Sequence, residues 1–430
     1  MARKMKDSGI EWIGEIPEGW EIKRLGAILQ ERNEVNNPIQ TTSILSLTNN
    51  RGVIPYSEKG NQGNKAKDDL TGYKIAHIGD IVLNSMNVII GSVGLSNYYG
   101  AVSPVYYMLF PRNNIETNIQ YYNYLFQTTA FQQSLRGYGN GILEIRMRIQ
   151  MQKLKTVLLP VPTFLEQSNI TVYLDASLSK LNILLSKTRS SIEEYKKLKQ
   201  AVITQAVTKG VRGEREMKDS GIDWIGKIPK EWVIQKIKSI SSRINVGVVI
   251  RPSEYFDENG TIPFLRGINV KEYLISSDNM VYINESSNRI LSKSQVHTDD
   301  ILIVRDGSIG TSCVVPAEFD GANVVSMVIA TPLISCDSRF ICYSLNSDVG
   351  KTQFTLTKIG SALTHTSVSA VSDIIVAVPS CAEQKEIADH LDAKCAEIDG
   401  LIAKKEQLVK ELESYKKSLI YEVVTGKREV

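Results

Sequence analysis

The chain has 430 residues, which at roughly 100 to 200 residues per domain predicts two or three domains and excludes one small domain. Its 42% hydrophobic and 23% charged residues exclude a disordered or collagen-like chain. Fifty Lys and Arg residues against 47 Asp and Glu residues give a net charge of +3, so bulk charge alone does not indicate a nucleic-acid binder.

No stretch of the sequence indicates a targeting or membrane segment. The first eight residues hold no apolar run, and no uncharged apolar run approaches the ~20 residues that a membrane helix needs. Five cysteines, with no Cys-x2-Cys pair, favour neither a disulfide framework nor a zinc finger. We therefore expect a cytoplasmic protein with no membrane association.

The first half of the chain consists of an entry segment, a body and a helical tail. The entry segment is residues 5–25, MKDSGIEWIGEIPEGWEIKRL. In the body, strands are predicted at 80–83 and 105–110 and a helix at 119–134, so a mixed α+β domain is expected. In the tail, apolar residues recur every three or four positions and form a heptad seam. The seam residues are Leu174, Leu178, Leu181, Leu185, Ile192, Tyr195 and Val202.

The second half repeats this order. Residues 217–237 match the first entry segment at 13 of 21 positions, and residues 383–425 match 166–208 at 13 of 43 positions without a gap. The second body, with strands predicted at 300–304 and 373–378, barely resembles the first. The second seam comprises Leu391, Cys395, Ile398, Ile402, Val409, Leu412 and Leu419.

Two heptad helices of about 40 residues, each about 60 Å long, would most simply pair with each other. A whole body separates them in the chain, and a pseudo-twofold relation between the halves would make them antiparallel. The alternative is two unrelated surface helices. The four tryptophans of the entry segments, Trp12, Trp20, Trp224 and Trp232, are expected to be buried anchors that pack on a helix end, with partner docking as the alternative role.

Catalytic motifs are missing. The one near match to a phosphate-binding loop, at 349–352, has Leu345 where the first Gly belongs. No Pro-Pro dipeptide occurs, although a DNA amino-methyltransferase motif requires one, and the four histidines lack metal-ligand spacing. The acidic pair Asp299-Asp300 has no partner motif and is expected on a solvated turn. We expect no catalytic or metal site in this chain.

The first body is suited to nucleic acid. Residues 21–165 hold 14 Lys and Arg against 9 Asp and Glu, whereas residues 233–378 hold 12 against 14. Asparagines are frequent in the first body, and Asn side chains read adenine while Arg reads guanine. Ordinary loops with scattered surface charge remain the alternative for any single residue.

The sequence SGIxWIGxIPxxW at 8–20 and 220–232, with a Glu-Gln pair before each long helix, strongly resembles the specificity subunit of type I restriction-modification systems. Residues 300–310, DILIVRDGSIG, look like that family's strand-and-turn element. The resemblance covers nearly the whole chain. It implies an α+β fold with two mixed target recognition domains, separated by two long helices that form an antiparallel coiled coil, in a pseudo-twofold internal repeat.

The resemblance also divides the chain. The first target recognition domain would be 1–165 and the second 211–378, each including its entry segment, with helical spacers at 166–210 and 379–430. For DNA contacts we expect polar and basic residues of both bodies. These are Asn84, Asn87, Arg136, Arg146 and Arg148 in the first and Arg305, Lys358, Ser361 and Thr364 in the second. Arg305 either enters a groove or caps its own loop.

The function implied is that of a non-catalytic, sequence-specific subunit that directs methylation and restriction to a bipartite double-stranded DNA site. Its implied partners are two modification (methyltransferase) subunits and the restriction (translocase and endonuclease) subunits. This chain would hold no cofactor, because S-adenosylmethionine, ATP and magnesium belong to those partners. The alternative is a coiled-coil scaffold whose tandem domains bind proteins, which the acidic second body favours.

Overall fold

The computed structural model describes residues 3–49, 51–60, 65–140, 148–359 and 365–430. They form two compact units, the first made of Met1–Arg189 and Gln407–Val430, and the second of Ser190–Glu406. The first unit therefore combines the beginning and the end of the chain. Each unit contains one body and about half of each of two long helices.

The first body is built from short strands and four short helices, followed by the long helix α5. The strands are β1 Met5–Asp7, β2 Glu15–Pro17, β3 Glu21–Arg24, β4 Leu29–Arg32, β5 Leu45–Thr48, β6 Gly52–Pro55, β7 Lys74–Ala76, β8 Ile81–Asn84, β9 Val93–Leu95, β10 Gly100–Val102, β11 Tyr106–Pro111, β12 Gly139–Asn140, β13 Arg148–Ile149 and β14 Leu158–Val161. The helices are α1 Leu25–Ile28, α2 Ile119–Gln127, α3 Thr129–Ser134, α4 Met151–Leu154 and α5 Phe164–Lys209.

The second body has a similar composition and precedes the long helix α10. The strands are β15 Met217–Asp219, β16 Lys227–Pro229, β17 Val233–Lys236, β18 Ser241–Val246, β19 Ile262–Leu265, β20 Val270–Lys271, β21 Leu274–Ile275, β22 Val281–Ile283, β23 Ile301–Val304, β24 Ser312–Val314, β25 Asn323–Val324, β26 Met327–Pro332 and β27 Ile375–Val378. The helices are α6 Glu285–Ile290, α7 Ser338–Asn346, α8 Asp348–Ile359, α9 Val368–Ser372 and α10 Cys381–Val424.

The two bodies share one framework although their sequences barely match. Each has a four-stranded antiparallel sheet, in the order β4-β11-β8-β9 in the first body and β18-β26-β23-β24 in the second. The inner strands β8 and β23 are buried along their whole length, as expected of their uninterrupted apolar runs. The prediction of a mixed α+β domain, present twice, is confirmed.

A buried ion pair recurs in both sheets. Asp80, just before β8, is 1% exposed and pairs with Arg32 at 2.8 Å from Oδ2 to Nε. Asp300, just before β23, is also 1% exposed and pairs with Arg243 at 2.7 Å from Oδ2 to Nη2. The expectation of a solvated turn is therefore wrong for Asp300, because an arginine 57 residues earlier on the neighbouring part of the sheet accounts for its burial.

The helix predicted at 119–134 is two helices. Thr128 ends α2 and caps α3, since its hydroxyl oxygen accepts a hydrogen bond from the Phe131 amide at 3.3 Å. In the second body, Ser347 lies at the same break between α7 and α8 and accepts from the Gly350 amide at 3.2 Å. A hydroxyl side chain competes with the helical backbone at both places, which apolar periodicity alone does not detect.

The entry segments pack on helix ends through two of their four tryptophans. Trp20 and Trp232 are fully buried, and the Trp20 indole donates to a carboxylate oxygen of Glu166 at 3.3 Å. Trp12 is half-buried, with its ring edge against Phe131 at 5.8 Å between centroids. The expectation of burial is wrong for Trp224, which is 41% exposed. Three residues after the capping side chain, the second body has Gly350 where the first body has Phe131, the ring that Trp12 contacts.

The Glu-Gln pair at the start of each long helix joins that helix to its body. The Gln167 side chain donates to the Pro162 carbonyl at 2.9 Å and accepts from the Asn118 amide, at the start of α2, at 2.8 Å. Gln384 donates to the Pro379 carbonyl at 3.0 Å and accepts from the amide that begins α7 at 2.9 Å. Both glutamines are buried, so the repeated pair has a structural role.

The long helices pair antiparallel within each unit. In the first unit, Lys416 donates to the Asn182 side chain at 2.8 Å, and Arg189 forms an ion pair with Glu413. Residues later in α5 contact residues earlier in α10, so the two helices run in opposite directions. The second unit continues this pattern, with Lys199 at 2.6 Å from Asp399.

Every residue of the predicted seam is buried or half-buried. Leu174, Leu185 and Leu419 are buried in the first unit, as are Leu391 and Ile398 in the second. The predicted antiparallel coiled coil is confirmed. None of the helices in the described ranges has the length and apolar content needed to cross a membrane.

Candidate nucleic-acid interface

A polar cleft of about 540 Å³ opens in the first body where β8 ends and β11 begins. Its walls combine amide, hydroxyl and ammonium groups with aromatic rings, the side chains that contact bases and phosphates. The lining includes Ser46, Asn49, Tyr56, Lys59, Lys65, Tyr73, Asn84, Met86, Asn87, Ser92, Ser103 and Tyr106. The cleft thus brings two of the predicted contact residues, Asn84 and Asn87, together.

The two asparagines lie at the two ends of the same short stretch of backbone but are used differently. Asn84 is 8% exposed, and its side-chain oxygen accepts from the Met86 amide at 3.0 Å. Asn87 is half-buried, and its side chain makes no cap hydrogen bond with the helical turn that follows it. Asn84 therefore shapes the turn, while Asn87 lines the cleft and its side chain is not used to cap the turn.

Two tyrosine hydroxyls hold the segment that carries Lys65. The Ala66 amide donates to the Tyr56 hydroxyl at 2.9 Å, and the Lys67 amide donates to the Tyr73 hydroxyl at 3.0 Å. Lys65 therefore lies on the rim of the cleft with its backbone fixed on its C-terminal side. An ammonium group at this position is suited to a phosphate.

A third tyrosine lines the cleft at the start of β11. Burial raises the pKa of the Tyr106 hydroxyl above its ordinary value. A tyrosine hydroxyl is already neutral near pH 7, and the raised pKa keeps it neutral at still higher pH, so it can both donate and accept a hydrogen bond. The cleft consequently combines neutral hydroxyl and amide groups with the charged ammonium groups of its lysines.

Arg148, one of the predicted arginines of the first body, lies in a strand beside this turn. Arg136 and Arg148 are both exposed, and Arg148 begins β13. The next residue, Ile149, donates its amide to the Ser85 carbonyl at 2.9 Å, which fixes β13 beside the end of β8. Arg146 lies outside the described residues.

The predicted residues of the second body are less completely described. Arg305 is half-buried, and its Nε donates to the Thr366 carbonyl at 2.9 Å, while the Thr366 amide donates back to the Arg305 carbonyl at 3.2 Å. Arg305 therefore contacts a segment 61 residues away and not its own loop. Its contact with DNA stays a prediction. The backbone of Lys358 lies in α8, but its side chain is outside the described part, as are Ser361 and Thr364.

Sequence reasoning did not single out the tyrosines and serines of the cleft. They come from 44–106, and the sheet order rather than the chain order brings them together. No motif marks them. Within the described ranges, no group of three His, Cys, Asp or Glu side chains is arranged to hold a metal ion.

Comparison with known proteins gives one consistent family. The family model described as type I restriction modification DNA specificity domain matches residues 17–194 and 229–411. A putative type I restriction enzyme MjaX specificity subunit of Methanocaldococcus jannaschii is 26% identical, covering 96% of this chain and 95% of that protein. The type I restriction enzyme MjaVIII specificity subunit of the same organism is 24% identical, with 96% and 93% covered.

A solved structure shares the fold. The structure is described as showing complex assembly and conformational transition of the type I R-M system, and its matching chain has a TM-score of 0.75. That chain is 14% identical, and the match covers 96% of this chain and 99% of that one.

Proposed function

This chain belongs to the type I restriction modification DNA specificity family as a specificity subunit, and from that premise we propose that its two bodies read the two halves of a bipartite DNA site. The family model matches the chain twice, once across each body. Two readers in one chain suit a site with two separate halves.

The observation that carries this proposal is that the two bodies share a sheet framework but have different residues in the turn after the inner strand. Both sheets share their strand order and the buried Asp-Arg pair. The turn after β8 carries Asn87 and Ile90, whereas the turn after β23 carries Asp306 and Ser308. Amide, apolar and carboxylate groups prefer different base edges, so the two bodies should prefer different half-sites.

The paired long helices would set the distance between the half-sites. Each unit contains an antiparallel segment of α5 and α10 with a buried seam. A helix rises 1.5 Å per residue and DNA about 3.4 Å per base-pair step, so a helical spacer favours one gap length. The proposal therefore includes a fixed gap.

The chemistry would belong to partner subunits. We expect two modification subunits that use S-adenosylmethionine to methylate adenine N6, and restriction subunits that use ATP and magnesium. The relatives are named specificity subunits, which supports a non-catalytic role. The net charge of only +3 also fits partners that supply many of the phosphate contacts.

The test is to co-express this chain with its modification subunits and map the methylated adenines across a sequenced genome. The proposal expects one two-part motif with a single gap length. Methylation of a continuous motif, or of motifs with many gap lengths, would contradict the bipartite reading. A complex that assembles but neither methylates DNA nor binds it with a steep salt dependence would favour the protein-binding scaffold.

A further inference from the structure

The backbone of the turn 84–92 is fixed by a dense set of hydrogen bonds. The Asn84 amide donates to the Ser92 carbonyl at 3.0 Å, and the Asn87 amide donates to the Asn84 carbonyl at 3.1 Å. The Asn87 carbonyl accepts from the amides of Ile90 at 3.1 Å and Ser92 at 3.2 Å. The turn is therefore a rigid support for the side chains that it carries.

Burial divides these side chains into two groups. Val88 is fully buried and Ile89 is 6% exposed, so the middle of the turn is anchored in the core of the body. Ile90 is 52% exposed, and Asn87 is half-buried on the cleft wall. The hydrogen bond from the Ile90 amide to the Asn87 carbonyl places these two residues at neighbouring positions, as in a 3₁₀ turn.

This pair of side chains has a specific chemistry. An asparagine amide can donate to adenine N7 and accept from adenine N6 at the same time, and an apolar side chain favours the thymine methyl group. Both adenine atoms and the thymine methyl group lie in the major groove of one A·T pair. A half-buried amide on the cleft wall beside an exposed isoleucine therefore matches the two edges of a single base pair.

We infer that the turn 84–92 reads an A·T base pair in the half-site of the first body, with Asn87 contacting adenine and Ile90 contacting the thymine methyl group. This inference rests on the proposed function. Asn84 is a positioning residue, because its side-chain oxygen is engaged by the Met86 amide. Lys65, on the rim of the cleft, is suited to a phosphate and carries no base preference.

The experiment measures methylation rates of the assembled complex on synthetic duplexes that carry the mapped site. Each adenine of the first half-site, apart from the methylated one, is replaced in turn by 7-deazaadenine, which lacks the N7 acceptor. Each thymine is replaced by uracil, which lacks the methyl group. One base pair should respond to both changes, with a rate reduction of about 5- to 150-fold for 7-deazaadenine.

Two variants identify the residues responsible. The Asn87→Ala complex should lose its sensitivity to 7-deazaadenine at that pair, and the isosteric Asn87→Asp complex should lose it as well. The Ile90→Ala complex should lose its sensitivity to uracil in the same pair. Asn49→Ala removes another asparagine of the same cleft and should keep both sensitivities. The second half-site serves as an internal control in every complex.

Several results would overturn the inference. The first is an Asn87→Ala complex that keeps its full sensitivity to 7-deazaadenine. The second is an Asn87→Ala complex whose methylation rate falls equally on every duplex, as loss of a phosphate contact would cause. The third is a first half-site in which no A·T pair responds to both base changes. Failure of the proposed function looks different, because then the wild-type complex methylates no duplex of any gap length. Thermal melting of each variant complex verifies folding, and the Asn87→Asp complex maintains the test if Asn87→Ala is unstable.

Discussion

Removing the buried carboxylate of one body should destabilise that body alone. In the first body, Asp80 accepts from Arg32 Nε at 2.8 Å, from Arg32 Nη2 at 3.2 Å and from the His77 amide at 2.9 Å. Asp80→Ala deletes both carboxylate oxygens, removes all three hydrogen bonds and leaves a partly buried guanidinium without its counter-charge. Breaking a buried pair in this way costs about 3 to 5 kcal/mol.

The size of the thermal shift follows from the size of the unit. For a unit of about 150 to 250 residues, a stability change of 1 kcal/mol shifts Tm by about 2 to 4 °C. Asp80→Ala should therefore lower the Tm of the unit that contains the first body by about 6 to 20 °C. Asp300→Ala should lower the transition of the second body by a similar amount, because Asp300 accepts from Arg243 at 2.7 Å and from the His297 amide at 2.9 Å.

Calorimetry of the purified chain is the assay, and the exposed ion pair Arg51–Glu58 provides the control. Glu58→Ala should change Tm by no more than about 4 °C, since an exposed pair contributes at most about 1 kcal/mol. The double variant Arg32→Met with Asp80→Leu should recover part of the loss but not all of it, because the His77 amide still lacks its acceptor. A shift no larger for Asp80→Ala than for Glu58→Ala would refute the reasoning.

Two further predictions concern the spacer and the cysteines. Inserting seven residues after Arg189 in α5 and seven before its partner Glu413 in α10 adds about 10 Å of paired helix. Mapping of the methylated adenines should then show a gap between the half-sites that is about three base pairs longer. An unchanged gap would contradict the spacer role. Burial raises the pKa of Cys313 to about 12 and raises the pKa of Cys342 well above its ordinary range, so neither thiol should react with a disulfide reagent at pH 8. The exposed thiol of Cys381 should react at once. Fast reaction of a buried thiol would contradict this prediction and show that the core of the second body opens.

The repeat and the helices were predictable because their signals are local. Identical residues at a constant offset revealed the duplication, and the spacing of apolar residues such as Leu174 and Leu391 revealed the seam. The burial of both residues confirms this. The repeated motif was less informative about single side chains, since Trp12 is half-buried against Phe131 whereas Trp224, at the same position of the motif, is 41% exposed.

The candidate site was predictable only in outline. The frequency of asparagine pointed to both Asn84 and Asn87. Only the structure shows that the Asn84 side chain is engaged by the Met86 amide and shapes the turn, whereas the Asn87 side chain does not cap it. The contact of Arg305 with Thr366 spans 61 residues and leaves no local pattern. Such pairings depend on how the strands of a sheet are ordered, which periodicity does not encode.

The most direct test of the account is to exchange one body and map the methylated adenines again. Residues 21–165 are replaced by the corresponding body of a relative with another specificity, and the chimaera is co-expressed with the same modification subunits. The account predicts that one half of the motif changes while the other half and the gap stay the same. A chimaera that assembles and methylates DNA, but with both halves changed or neither, would contradict it.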